Sequence, residues 1–330
     1  MEGLDQVNLT IQQLQAKIAE FEKTVTTSQT AFPVRENLAA EAKLVVAVDT
    51  PLLNRFPTKA GSGKAAAWKE ITSFGSDPST VFYTEGGAPS SRTTVYADRS
   101  ETYRELGLDG GVTGLALAAG ANFQDQLAIE KRNCLLHLKR LEESALINGS
   151  GTTPEFSGLL VQVVTGNGST VRATTGTAAS AVLADLDYIL KGTWDAGGDI
   201  SILVVRSSES KTISDAITRD AGTSPMRVTI DQQSLITGGY FVNAYISPLN
   251  GRRVAIIPDK FHTTGTIIGV AEELPAPIPG QGGMGIFLDV LLDYALSDVP
   301  TANDSVLFRV KRYYTLCAPS RKFCATITGY

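Results

Sequence analysis

Of the 330 residues, three are cysteine, two histidine and two tryptophan. Cys134, Cys317 and Cys324 are odd in number and none forms a Cys-x-x-Cys pair, which removes a disulfide framework and a thiolate metal site as organising features. Buried, reduced thiols are the expectation. His137 and His262 have no second His or Cys at ligand spacing, and no Gly-x-Ser-x-Gly elbow accompanies them. A structural role is expected for both. The chain therefore offers no catalytic residue, no cofactor site and no metal site to nominate, and it reads as a protein that is not an enzyme.

Long apolar runs are missing too. No stretch reaches the roughly 20 apolar residues of a membrane helix, so no membrane partner is expected. Met1-Glu2-Gly3-Leu4-Asp5 has no basic start followed by an apolar run, so no signal peptide is expected. Positive charge is in short supply: 29 Lys and Arg stand against 34 Asp and Glu, a net charge of −5. That is wrong for a broad basic face gripping nucleic acid, although it leaves room for a protein that merely encloses it. A phosphate loop fails in detail. The pattern G-x-x-x-x-G-K-[ST] needs Gly at 58 and Ser or Thr at 65, where the sequence has Thr58 and Ala65 around Gly61-Ser62-Gly63-Lys64.

What is present is enough apolar sequence for a core, with 43% hydrophobic residues against 19% charged. Val7, Ile11, Leu14, Ile18, Phe21 and Val25 alternate at spacings of four and three, a heptad seam of about three repeats. Such a helix needs a neighbour. Either it packs on its own domain or it is an arm on another subunit; the polar run Thr24–Thr30 after it reads as a tether.

Residues 31–60 carry Pro33, Pro51 and Pro57, and residues 65–74 offer Ala66, Trp68, Ile71 and Phe74 for burial. Val81-Phe82-Tyr83 and Thr93-Thr94-Val95-Tyr96 are β-prone and flank the turn cluster 85–91, with Glu101–Leu108 able to extend the arm. This predicts a long two-stranded excursion with few large apolar residues of its own. An isolated hairpin of that kind is barely stable in water, so something outside should hold it. A long helix follows over 122–148, with Asn122 as cap and Asp125 in the first turn. Phe123, Leu127, Cys134, Leu138, Leu141 and Ala145 trace its apolar face, widened by Leu135, Leu136 and Leu146, and Asn148-Gly149 ends it.

Phe156–Leu160 is predicted to lead into a strand. Beyond it, Ala178–Lys191 is an amphipathic helix with Val182, Leu183, Leu186, Ile189 and Leu190 inward. Ile200–Val205 is a buried strand, a helix runs from Ser207 or Ser208 to about Arg219, and Tyr240–Ile246 and Val254–Ile257 form a hairpin around Pro248–Gly251. Thr264–Val270 is a strand and Pro275–Gly285 a loop. Phe287–Leu292, Val306–Leu316 and Phe323–Thr328 are strand-like. The order predicts an α+β fold in which strands from distant sequence complete one sheet. Glu142-Glu143 and the acids Asp289 and Asp293 are expected to be solvated or ion-paired. Arg252-Arg253 and Lys311-Arg312, the latter followed by Tyr313-Tyr314, are expected at sheet edges or between subunits rather than on nucleic acid.

Four segments together resemble the major capsid proteins of tailed bacteriophages, with the Hong Kong 97-type fold. Thr84-Glu85-Gly86-Gly87-Ala88-Pro89 is similar to that family's extended loop. Leu141–Gly151 resembles the end of its spine helix and the glycine-rich exit; Phe156-Ser157-Gly158-Leu159-Leu160 resembles the segment that follows; Arg321–Ile327 resembles the closing strand. The resemblance implies an N-terminal arm over 1–49, a peripheral domain starting at 50–74, an extended loop over 75–105, and the peripheral domain with its spine helix over 106–174. An axial domain over 175–285 and a return to the peripheral domain over 286–330 complete it. It implies a subunit that self-assembles into hexamers and pentamers, an icosahedral head around double-stranded DNA held by non-specific contact, and assembly in the host cytoplasm. Portal and scaffolding proteins are the implied partners, with a decoration protein as a further one. Intersubunit contacts are expected at Phe82, Tyr83, Val95, Tyr96 and Tyr103 of the loop and at Ile11, Leu14, Ile18 and Phe21 of the arm. Some members weld subunits through a loop lysine; residues 75–105 contain none, so non-covalent locking is expected. An encapsulin compartment shares the fold and stands as the alternative, with a soluble α+β hydrolase behind it.

Overall fold

The computed structural model describes residues 49–75, 81–120, 125–219, 242–275, 283–301 and 303–330. The heptad segment with Ile11, Leu14, Ile18 and Phe21, the cap candidate Asn122, Phe123 and Tyr240 lie outside the described residues.

The described chain begins with a short helix, α1 (Pro51–Arg55), and strand β1 (Thr58–Ala60). β2 (Ala65–Ser73) pairs antiparallel with β3 (Val95–Thr102) as a separate two-stranded ribbon. β4 (Arg104–Thr113) then enters a four-stranded sheet. Its order is β1, β10 (Phe287–Val299), β11 (Ser305–Cys317), β4. A short helix, α2 (Gly114–Gly120), continues from β4. Residues from three remote stretches thus build one sheet, as expected for an α+β chain.

The long helix α3 (Gln126–Asn148) lies on this sheet. Its 23 residues contain no Gly or Pro and are rich in Leu, Glu, Lys and Arg, which favour helix. At 1.5 Å per residue it spans about 35 Å. Its cap is Asp125, whose Oδ1 accepts the Ala128 N–H at 3.0 Å, in place of the expected Asn122. Cys134 and Leu138 pack on Phe308 and Val310 of β11. Phe308 is fully buried because β4 offers Gly110 beneath it; a Cβ there would lie 2.5 Å from the ring.

The second sheet has six strands. Its order is β5 (Thr170–Ala173), β12 (Ala325–Thr328), β9 (Thr266–Val270), β6 (Ile202–Val205), β8 (Arg253–Pro258), β7 (Ala244–Ile246). Two helices cover one face: α5 (Ala179–Asp195) and α6 (Ser207–Arg219). Val182, Leu183, Leu186, Ile189 and Leu190 of α5 all enter that core, as their spacing predicts. β6 is buried throughout. Leu203 and Val205 face the helices, while Ile202 and Val204 face a second core with Leu52, Ile147, Phe156, Leu316 and Tyr314. Burial on both faces explains why this strand is a continuous apolar run rather than an alternating one. The residues expected to close the fold divide between the sheets: β10 and β11 go to the four-stranded one, β12 to the six-stranded one.

Three local expectations are corrected. Phe156–Leu160 leads into a short helix, α4 (Leu159–Gln162), because Leu159 and Val163 are buried at helical spacing and the Gln162 amide donates to the carbonyls of Ser157 and Leu316. Val81–Tyr83 carries no strand; the outgoing arm of the ribbon is Ala65–Ser73. Glu101–Leu108 does not extend that arm as one strand, because β3 ends at Thr102 and β4 belongs to the four-stranded sheet.

Candidate assembly surface

The ribbon grades from a buried root to an exposed far end. At the root, Ala65 faces Thr102 and Ala66 faces Glu101. Ala66 is buried with Phe287 and Cys317, and Trp68 and Tyr103 pack against them. Tyr103, expected between subunits, donates its hydroxyl to Asp289 Oδ1 at 2.8 Å within the chain. Burial first, then that carboxylate, push the phenol up to about 12. Glu70 is the second anchor. Its carboxylate accepts from the Trp68 indole at 2.8 Å, from Arg99 across the ribbon at 3.2 Å and from Arg321 of the body at 3.4 Å. Gly61 threads against the Tyr103–Asp289 anchor, since a Cβ there would sit 2.2 Å from Asp289 and 2.4 Å from the Tyr103 hydroxyl. The loop 61–64 therefore connects two strands; it does not open a helix, as a phosphate loop would.

Away from the root the apolar side chains turn outward. Phe82 is 86% exposed and Phe74 65%, and Ile71, Tyr83, Val95 and Tyr96 are also exposed. Ile71 and Phe74 were expected to be buried; both faces of a two-stranded ribbon meet solvent, so alternation there does not produce an inside. The ribbon has Lys69, ion-paired to Asp98 at 3.3 Å, so the lysine-free stretch 75–105 is only part of the excursion.

The body that carries the ribbon is stiffened by charges read from sequence as solvated or ion-paired. Glu142 and Glu143 are fully buried on α3, and Leu141 is exposed. Glu142 accepts from Tyr294 and from Arg312, and the Arg312 guanidinium lies over the rings of Tyr294 and Tyr314 at 4.5 and 4.8 Å. Burial pushes the Glu142 carboxyl up, and the Tyr294 hydroxyl and Arg312 pull it back. Arg312 also pairs with Asp293 at 3.3 Å. Arg252 pairs with Asp199. His137 is exposed and His262 is buried, with Nδ1 2.8 Å from the Thr263 carbonyl oxygen. The three cysteines are free and buried. Among the described residues no group of His, Cys, Asp and Glu could hold a metal ion, and no helix is long and apolar enough to cross a membrane.

The geometry is that of an assembly unit: a two-sheet body presenting an anchored ribbon with exposed apolar side chains. The sequence matches the family model of the SU10 major capsid protein over residues 19–277. The chain belongs to that family. It is a major capsid protein with the Hong Kong 97-type fold of tailed-phage shells, and its role is structural. No curated protein sequence matches it. The fold is shared with solved capsids at low identity. The capsid of a native GTA particle superposes with a TM-score of 0.64 at 14% identity, covering 93% of this chain and 99% of that one. A solved structure from Mycobacterium phage Bobi gives 0.61 at 13%, covering 92% and 98%. The SrpI encapsulin of Synechococcus elongatus gives 0.53 at 18%, covering 87% and 92%.

Proposed function

We propose that this major capsid protein closes into an icosahedral head of hexamers and pentamers around double-stranded DNA, with the ribbon 65–102 lying on a neighbouring subunit. The observation that carries the reading is the exposure of Ile71, Phe74, Phe82, Tyr83, Val95 and Tyr96 on a ribbon whose root is tied to the body by Ala66 and Tyr103. Covering one such side chain is worth about 1.5–3 kcal/mol. Many modest contacts of this kind add up in a closed shell, where each subunit is held by several others.

In this reading the four-stranded sheet and α3 form the peripheral region near local three-folds. The helices and strands between 175 and 285 form the axial region around five- and six-fold centres, and residues 1–49 form an arm. Ile11, Leu14, Ile18 and Phe21 of the arm make contacts of the same kind as the ribbon. Tyr103 acts at one remove, by fixing the ribbon's root. Locking is non-covalent. Scaffolding and portal proteins act in assembly in the host cytoplasm, a decoration protein supplements the shell, and the DNA is held without sequence preference.

Deletion of residues 86–91, and separately Tyr83→Ser with Tyr96→Ser, tests this. The variants are expected to keep the thermal stability of the unassembled subunit and to lose most closed shells under electron microscopy. Normal shell yield from both would sink the reading. A shell that forms around protein cargo instead of DNA would place the chain with the encapsulins.

A further inference from the structure

One buried group of acids has no part in the ribbon. Glu143 on α3 is fully buried, and its two oxygens accept the N–H groups of Leu52 at 2.7 Å and Leu53 at 2.8 Å, both on α1. Asp259, just beyond β8, is also buried and lies against it. Its Oδ1 accepts the Phe261 N–H at 2.7 Å, while Oδ2 is buried without an N–H or hydroxyl donor among the described residues. Two carboxylates in contact in a dry site cannot both ionise cheaply. A proton between Asp259 Oδ2 and Glu143 satisfies the orphaned oxygen and removes the repulsion.

We infer that Glu143 and Asp259 share one buried proton and form a proton-linked latch that holds α1 to α3 and to the 259–265 loop. α1 is the first described element of the chain, so the latch ties that element to the body. Other groups facing the pair are few. His262 is buried and its imidazole is pushed down by burial, which keeps it neutral. Arg206 donates to the His262 carbonyl at 3.0 Å, and buried Glu209 accepts the Gly265 N–H at 2.7 Å. The Tyr314 phenol lies within electrostatic reach of Glu143. Asp49 and Lys260 form an ion pair at 3.9 Å at the rim.

The sign follows from linkage. Burial first, and Asp259 second, raise the Glu143 carboxyl to about 8, whereas an opened, solvated Glu143 returns to its ordinary range. The closed state holds the extra proton, so the latch is at full strength below the ordinary range. It weakens as pH rises and has lost its advantage by about pH 8. His262 has the opposite sign and acts only below its ordinary value of 6.5, which leaves the window above that to the carboxyl pair.

Hydrogen exchange of the Leu52 and Leu53 amides in the full chain reads the latch directly. After correction for intrinsic exchange, protection is expected to fall by up to about tenfold per pH unit from pH 6.5, and to level off above about pH 8. Asp259→Asn removes the second carboxyl but leaves the burial that is the larger cause, so its slope is expected to be clearly shallower than wild type's and to end at a lower pH. Glu143→Gln removes the titrating group itself and serves as a second variant, with weaker and flat protection. The latch is overturned if the wild-type slope is absent, or if either folded variant reproduces it.

Discussion

The amide of Gly158 donates to the carbonyl of Gly149 at 2.9 Å, and neither residue has room for a side chain. A Cβ on Gly158 would lie 2.5 Å from the Gly149 nitrogen and 2.8 Å from the Ile147 carbonyl; one on Gly149 would lie 2.5 Å from the Phe156 carbonyl. Both have negative φ, so close approach rather than left-handed backbone requires glycine here. The contact folds the exit of α3 back under its own last turn and delivers Phe156 and Leu159 to the core between the sheets.

Gly158→Ala is therefore expected to destabilise the subunit by about 1–3 kcal/mol, the usual scale for forcing a methyl into packed surroundings. The urea midpoint should fall with little change in the slope of the transition. An unchanged midpoint would show that the turn can relax around the extra carbon.

The Glu142–Arg312 pair predicts an asymmetric result. Both side chains are buried, and Arg312→Met leaves a buried carboxyl with the Tyr294 hydroxyl but without its cation. A loss of about 3–5 kcal/mol is expected from that single change. The double variant Glu142→Leu, Arg312→Met should recover much of it, because replacing both charges removes the desolvation cost as well. A double variant no better than the single would mean that Arg312 matters for stacking on Tyr294 and Tyr314, not for its charge.

Asp185 predicts acid sensitivity. It is fully buried on α5 and accepts from the Thr175 N–H at 2.9 Å, the Thr175 hydroxyl at 3.0 Å, Arg172 at 3.1 Å and Thr174 at 3.2 Å. Burial alone would raise its carboxyl, but these donors outweigh it and the net direction is down. A lowered carboxyl contributes stability above its unfolded value and loses it as pH falls through the folded one. Asp185→Asn should thus unfold at lower temperature than wild type at pH 7, and the gap should narrow below about pH 4. A gap that does not change with pH would assign the cost to geometry instead of ionisation.

Much of this fold is legible in the sequence where burial follows a simple period. The five apolar residues of α5 occupy one helical face, and the all-apolar run of β6 matches a strand covered on both sides. The hairpin around Pro248–Gly251 is formed by β7 and β8, with Gly251 in left-handed backbone. The ribbon was legible as a two-stranded excursion but not in its outgoing arm. Ala65–Ser73 alternates poorly because both its faces meet solvent, and its partner is set by register with β3. The buried acids of α3 were not legible, since nothing local distinguishes Glu142 and Glu143 from acids facing water. Their partners lie far away in sequence, at Tyr294 and Arg312 for one and at Leu52, Leu53 and Asp259 for the other. The intrachain partner of Tyr103 was hidden for the same reason: Asp289, which accepts its hydroxyl, lies 186 positions along.

The interleaving of the two sheets has a consequence for synthesis. β11 stands between β10 and β4, and β12 stands between β5 and β9, so each sheet is missing an interior strand until residues 305–328 have been made. Folding must wait for contacts across some two hundred positions, which is slow by topology. During that wait the nascent chain has no finished body from which to present its ribbon. A prematurely terminated polypeptide would therefore be a substrate for proteases and not a defective tile in the growing lattice, and the order of strands acts as a completeness check on every subunit.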